Sequence, residues 1–130
     1  MNKAIFLSKS VCFFVVVFFV CGIPFATAQQ QNDKDAIHTV LNNWHKAAAD
    51  SNFEAYFSAL TDDSVFIGTD ATEIWDKAAF EHYAKPAFDQ KKGWNFKSIQ
   101  RNIYFDKTGN IAWFDELLDT SMKICRGSGV

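Results

Sequence analysis

From Asp33 onward, Ile37, Val40, Leu41, Trp44, Ala47 and Ala48 recur at three- and four-residue intervals, the period of an amphipathic helix, and Asp50-Ser51-Asn52 ends it. His38 and His45 fall at one margin of that stripe, where a solvated edge position is expected. Phe53 to Leu60 reads as a second, short helical piece. Thr61-Asp62-Asp63 then breaks the period, and Ser64-Val65-Phe66-Ile67-Gly68, rich in β-branched and aromatic side chains, suits a strand. After a loop through Thr72, Asp76 is placed to cap a third helix with Phe80, Tyr83, Ala84, Ala87 and Phe88 on one face. Pro86 should kink or shorten that helix, and His82 points away from its apolar face.

The last third changes to strand character. Trp94 to Asp106 and Ile111 to Ile124 are two long strand candidates around Lys107-Thr108-Gly109-Asn110. Gly109 fits the left-handed position of a three-residue hairpin loop, which would set Asp106 against Asn110, Phe105 against Ile111, Ile103 against Trp113 and Arg101 against Asp115. In that register Arg101 and Asp115 form an ion pair on an otherwise apolar face, while Tyr104, Phe114 and Glu116 share the other with Asn102 and Gln100. The chain has no internal repeat and no low-complexity segment.

The first 28 residues have a different character. Lys3 and Lys9 precede an apolar run from Val11 to Phe25, and Ala26-Thr27-Ala28 supplies the small-x-small pattern of a signal peptidase site, so cleavage is expected after Ala28. The run has 15 residues, short of the about 20 a spanning helix needs. Residues 29–130 then form one domain of 102 residues, periplasmic or secreted, with Gln29 to Asn32 as a flexible polar leader. This part carries 11 Lys+Arg against 15 Asp+Glu, a net charge of −4, which argues against nucleic acid and anionic membranes as partners. Cys125 is its lone cysteine, so no internal disulfide can form and stability must come from packing. Four Trp, three Tyr and most of the Phe residues lie beyond residue 40 to supply it.

Four stretches carry a resemblance: Phe66-Ile67-Gly68-Thr69-Asp70 with Glu73 and Trp75; Arg101-Asn102-Ile103-Tyr104-Phe105; Ala112-Trp113-Phe114-Asp115-Glu116; and Cys125-Arg126-Gly127-Ser128-Gly129-Val130. From about Asp33 to Val130 the chain resembles the SnoaL-like branch of the nuclear transport factor 2-like superfamily. The resemblance implies an α+β fold, a cone-shaped curved antiparallel sheet packed on N-terminal helices (a cystatin-like roll), with a pocket at the open end and often a homodimer through the sheet. It also implies two further strands after Val130, so the chain is expected to be a C-terminally incomplete member.

Ketosteroid isomerases of that superfamily use a carboxylate base and a tyrosine oxyanion donor, an example familiar from work on tuned pKa values. The resemblance sets Trp44 at the tyrosine and Gly68 at the base, and glycine offers no base. His38, His45 and His82 have no metal-ligand spacing, Cys125 has no thiol partner, and no nucleophile has a His and acid at motif spacing, so no metal, cofactor or catalytic residue is assigned. The remaining expectation is a pocket for a hydrophobic small molecule with a few polar groups, lined by Trp44, Phe66, Trp75, Arg101, Trp113, Asp115, Glu116 and Arg126. The alternative is a non-catalytic dimerising module for protein contacts. Trp75, Trp94 and Trp113 are expected as core side chains rather than as a ligand platform.

Overall fold

A computed structural model describes residues 25–68 and 70–130. The charged start and most of the apolar run of the expected export segment, residues 1–24, lie outside the described residues. Three helices come first: α1 (Phe25–Ala49), α2 (Phe53–Phe57) and, after a small hairpin of β1 (Val65–Ile67) and β2 (Ile74–Asp76), α3 (Lys77–Asp89). A three-stranded antiparallel sheet follows, with β3 (Lys97–Phe105), β4 (Ala112–Asp119) and β5 (Ile124–Gly129) in sequence order. This is the expected α+β class, with helices at the N-terminal side and antiparallel sheets.

α1 begins earlier than the apolar period does, so Gln29 to Asn32 form helix rather than a flexible leader. Side-chain amides bond one turn ahead there, from Gln29 to Asp33 at 2.8 Å and from Gln31 to Asp35 at 3.0 Å. These bonds support a helix with no apolar face. The far end closes with the amides of Asn52 and Ser51 returning to the carbonyls of Ala47 and Ala48, and Ser51 takes the left-handed conformation such a cap requires. The buried face of α1 is Leu41, His45 and Ala48, rotated away from Val40, which is exposed.

Asn52 caps α2 by accepting from the amide of Ala55, and Asp76 caps α3 by accepting from the amide of Ala79. Asp76 is also the last residue of β2, a strand hidden in the sequence because it has three residues and ends on a capping residue. Pro86 does not shorten α3, which continues to Asp89. Helices and small hairpin together bury a cluster of aromatic rings in which Tyr56, Phe57, Phe80 and Phe88 are almost fully covered. Phe66 stacks on Phe80 at 3.8 Å between ring centroids, and Trp44 stacks on Tyr56 at 4.9 Å.

The hairpin register differs from the expected one by a single residue. Arg101 faces Glu116, Asn102 faces Asp115, Ile103 faces Phe114, Tyr104 faces Trp113 and Phe105 faces Ala112. The cause is loop chemistry. Asp106 spends its carbonyl on the amide of Gly109, which sits at φ 75°, and its carboxylate on the amides of Thr108 and Ile111. The ladder therefore closes through the Asp106 amide and the Ile111 carbonyl around four loop residues, not three. A one-residue slip exchanges faces. Arg101, Ile103, Phe114, Glu116 and Leu118 point to the inner side, under α1, and Asn102, Tyr104, Trp113, Asp115 and Leu117 to the outer side.

The expected long last strand is two strands. A two-residue turn at Ser121-Met122 separates them, held by the Thr120 amide on the Lys123 carbonyl at 3.1 Å, with Ser121 in the left-handed region. No glycine or asparagine marks the turn in the sequence.

Candidate functional site

Glu116 occupies the middle of the central strand, on the side that faces α1, and its side chain is 1% exposed. A carboxylate in such a place needs partners. His45, at the centre of the buried stripe of α1, meets Oε2 through Nε2 at 2.6 Å. Arg101, directly opposite on β3, donates Nε–H to Oε1. The guanidinium is itself held by α1: its Nη1 donates to the carbonyl of His38 at 3.1 Å and to Oδ1 of Asn42 at 3.0 Å, and lies 3.3 Å from Nδ1 of His38. One helix and two strands thus converge on one buried carboxylate.

Burial alone would push the Glu116 carboxyl up, but the hydrogen bonds and charges of His45 and Arg101 outweigh it and hold the group below the usual carboxylate range. Glu116 is therefore ionised near neutral pH and can only accept. It follows that Nε2 of His45 carries the proton of that bond, whatever the charge of the imidazole. Nδ1 is then either a bare acceptor or a second donor.

Among the described residues, three buried side-chain polar atoms lack a hydrogen-bond partner: Trp44 Nε1, His45 Nδ1 and Arg101 Nη2. All three belong to this neighbourhood, since the Trp44 ring lies 5.5 Å from the imidazole and Arg101 shares Glu116 with it. Beside them, a groove of about 460 Å³ opens between α1 and the entry to β3, lined by Asn42, His45, Lys46, Ala49, Asn95, Phe96, Lys97 and Ser98. The Phe96 ring stands 5.9 Å from the imidazole.

The residues expected to share a pocket are divided among three places. Trp44, Arg101 and Glu116 belong to the buried network. Phe66 and Trp75 are core: both stack against Phe80, and Trp75 also against Tyr83. Trp113, Asp115 and Arg126 lie on the outer face of the sheet, where Trp113 stacks on Tyr104 at 5.8 Å, Asp115 accepts from Asn102 at 2.9 Å and Arg126 faces Leu117 across the ladder. The expected Arg101–Asp115 ion pair does not form, because the register gives Arg101 to Glu116. Tyr104 remains close enough to Asp115 that burial and the carboxylate together raise its hydroxyl above the ordinary tyrosine range.

His45 is the residue that sequence reasoning missed. Placed at the stripe's edge as a solvated side chain, it is buried instead, and His38 is half-buried over Arg101. The spacing held the signal: His45 lies four residues after Leu41 and three before Ala48, both buried, and so within the stripe. At the isomerase positions, Trp44 packs on Tyr56, and Gly68 ends β1 with its amide on the Glu73 carbonyl. Among the described residues no group of His, Cys, Asp and Glu is arranged to hold a metal ion, and no helix is long and apolar enough to cross a membrane.

N-terminal helices over antiparallel sheets with a polar cluster at their junction are consistent with the nuclear transport factor 2-like class. Within it, the chain belongs to the SnoaL-like domain family, whose model matches residues 37–130. Comparison with curated proteins and with solved structures gives no match.

Proposed function

We propose that this chain is a small-molecule-binding SnoaL-like domain that works in the periplasm or outside the cell after removal of residues 1–28. Its ligand seats in the groove between α1 and the entry to β3, an apolar body against Phe96 and a polar group toward His45. The observation that carries this reading is the grouping of the three unpartnered buried atoms around one network. Buried polar groups are nearly always hydrogen-bonded, and leaving one unpaired costs about 1–3 kcal/mol. A fold that keeps three such atoms around one network, one of them on a residue that lines the groove, has traded stability for recognition. The groove's size falls within the range of small-ligand sites, about 300–1,000 Å³.

The test is a thermal-shift screen of the purified protein against hydrophobic metabolites, repeated with Asn42→Leu. Compounds that raise the melting temperature of the parent, and do so less in the variant, support the groove. A screen without stabilising compounds overturns the reading.

A second reading, a dimerising module, is favoured by the outer face of the sheet. Tyr104, Trp113, Ile111 and Ile124 are exposed there in a chain of this size, a surface suited to a second copy. Sedimentation of the protein and of Trp113→Ser discriminates: a dimer that the substitution dissociates supports this reading, and a monomer in both removes it.

A further inference from the structure

From the residue that processing leaves first, we infer that the mature chain carries a pyroglutamyl N-terminus: Gln29 closes on itself, its α-amine joining its own side-chain carbonyl with loss of ammonia. This modification goes beyond ligand binding and rests on one part of the proposed function, the removal of residues 1–28.

The step balances within one residue. The lone pair of the α-amine attacks Cδ of the Gln29 carboxamide, the N–Cδ bond forms, the Cδ–Nε2 bond breaks, and Nε2 leaves as ammonia with the proton that the amine gives up. No oxidant, reductant or second substrate enters, and the released ammonia is diluted away, so the ring accumulates. Attacking and attacked groups belong to the same residue, an arrangement that replaces a bimolecular encounter by a ring closure. Inside a chain that nitrogen is an amide and does not attack; removal of Ala28 turns it into an amine. Ala26-Thr27-Ala28 is followed by Gln29-Gln30-Gln31, so a cut displaced by one or two residues toward the C-terminus would still present a glutamine.

The local structure accepts the ring. α1 extends from Phe25, so the cut falls inside a helix and leaves Gln29 at its first position. There the backbone nitrogen has no carbonyl four residues before it, and no intrahelical bond is lost when it enters a ring. A five-membered ring at that position is what helices already accept from proline. Closure also removes an ammonium from the positive end of the helix dipole, where cations are disfavoured. The side chain is available as well. Gln29 is exposed, and with Asp33 it lines one side of a groove of about 370 Å³ whose far side is the loop of residues 106–109, so its carboxamide has open space in which to fold back. Its bond to Asp33, at 2.8 Å, is an exposed contact that water replaces at little cost. Gln31 makes the matching bond to Asp35 at 3.0 Å but, inside the chain, has no amine with which to close.

Intact-mass analysis of the protein exported from its full precursor by a Gram-negative host reads the outcome. The expected mass is that of residues 29–130 less one ammonia. Stepwise N-terminal sequencing should be blocked, and a pyroglutamyl aminopeptidase should open it at Gln30. Gln29→Ala, carried through the same export, should give the full mass of its own residues 29–130 and sequence freely. Loss of ammonia from that variant as well would place the closure at an asparagine, such as Asn32 beside Asp33, and overturn the inference. An open Gln29 at full mass would overturn it while leaving the processing in place. An intact Met1, or a start outside Gln29 to Gln31, would overturn the processing and the inference with it.

Discussion

Substituting Glu116 by Gln keeps the shape of the side chain and deletes its charge, which makes it the sharpest probe of the network. The Arg101 side chain is 4% exposed. Without its counter-charge the guanidinium remains buried among neutral groups alone: the His38 carbonyl and ring, Asn42 and the new amide oxygen. Stranding one member of a buried ion pair costs about 3–5 kcal/mol, a large share of the roughly 5–15 kcal/mol that stabilises a domain. With a urea slope of about 2 kcal/mol per M, the midpoint of unfolding should fall by roughly 2 M. Asp115→Asn provides the internal comparison, because Asp115 is half-buried on the outer face and a neutral amide can still accept from Asn102. Its loss should stay near or below about 1 kcal/mol. The pair Arg101→Met with Glu116→Leu removes both charges and should lose less than Glu116→Gln alone. Urea denaturation followed by circular dichroism measures all three. A loss below about 1 kcal/mol for Glu116→Gln would mean a solvated carboxylate, and a larger loss for Asp115→Asn would refute the register.

In acid, Asp106 loses what it holds. The hydroxyl and amide of Thr108 and the amide of Ile111 pull its carboxyl from an ordinary 3.8 to about 2, so the folded value lies below the unfolded one, and its contribution is present above about pH 4 and lost as pH falls toward 2. Amide resonances of Thr108 and Ile111 should move through that window, and their constancy would remove the loop argument. Gly129→Ala should destabilise by about 1–3 kcal/mol, because a Cβ there would stand 2.7 Å from the Phe114 ring, whereas Gly127→Ala, meeting Leu118 at 3.3 Å, should lose less; equal melting temperatures would contradict this. Mass spectrometry of the protein exported from a Gram-negative host should find Gln29 as the first residue, and an intact Met1 on soluble protein would count against processing.

The helices were legible because each states its period and its cap: Asn52 and Asp76 stand in the sequence where they act in the structure. The strands were legible as regions but not as partners. Gly109 announces a hairpin, yet whether its loop holds three or four residues depends on how Asp106 divides its bonds among Thr108, Gly109 and Ile111, which composition does not reveal. That one residue decides whether Arg101 meets Asp115 or Glu116, and with it which half of the candidate site is real. Glu116 and Arg101 were named among the site residues, but His45 and Asn42 join them only through the packing of α1 on the sheet, a contact between positions 71 residues apart in the case of His45 and Glu116.

The four tryptophans are distributed so that the molecule carries its own optical probes. Trp75 and Trp94 stack on Phe80 within the core, at interplanar angles of 4° and 11°, and will report loss of the fold through the near-ultraviolet dichroism of coupled rings. Trp113 sits on the outer face, 43% exposed, where its emission maximum tracks whatever covers the sheet. Trp44 lies beside the one imidazole on which the network turns. A chain reduced to Trp44 would therefore report, through its own emission, any change in the contact with the His45 ring 5.5 Å away, a signal that needs no label.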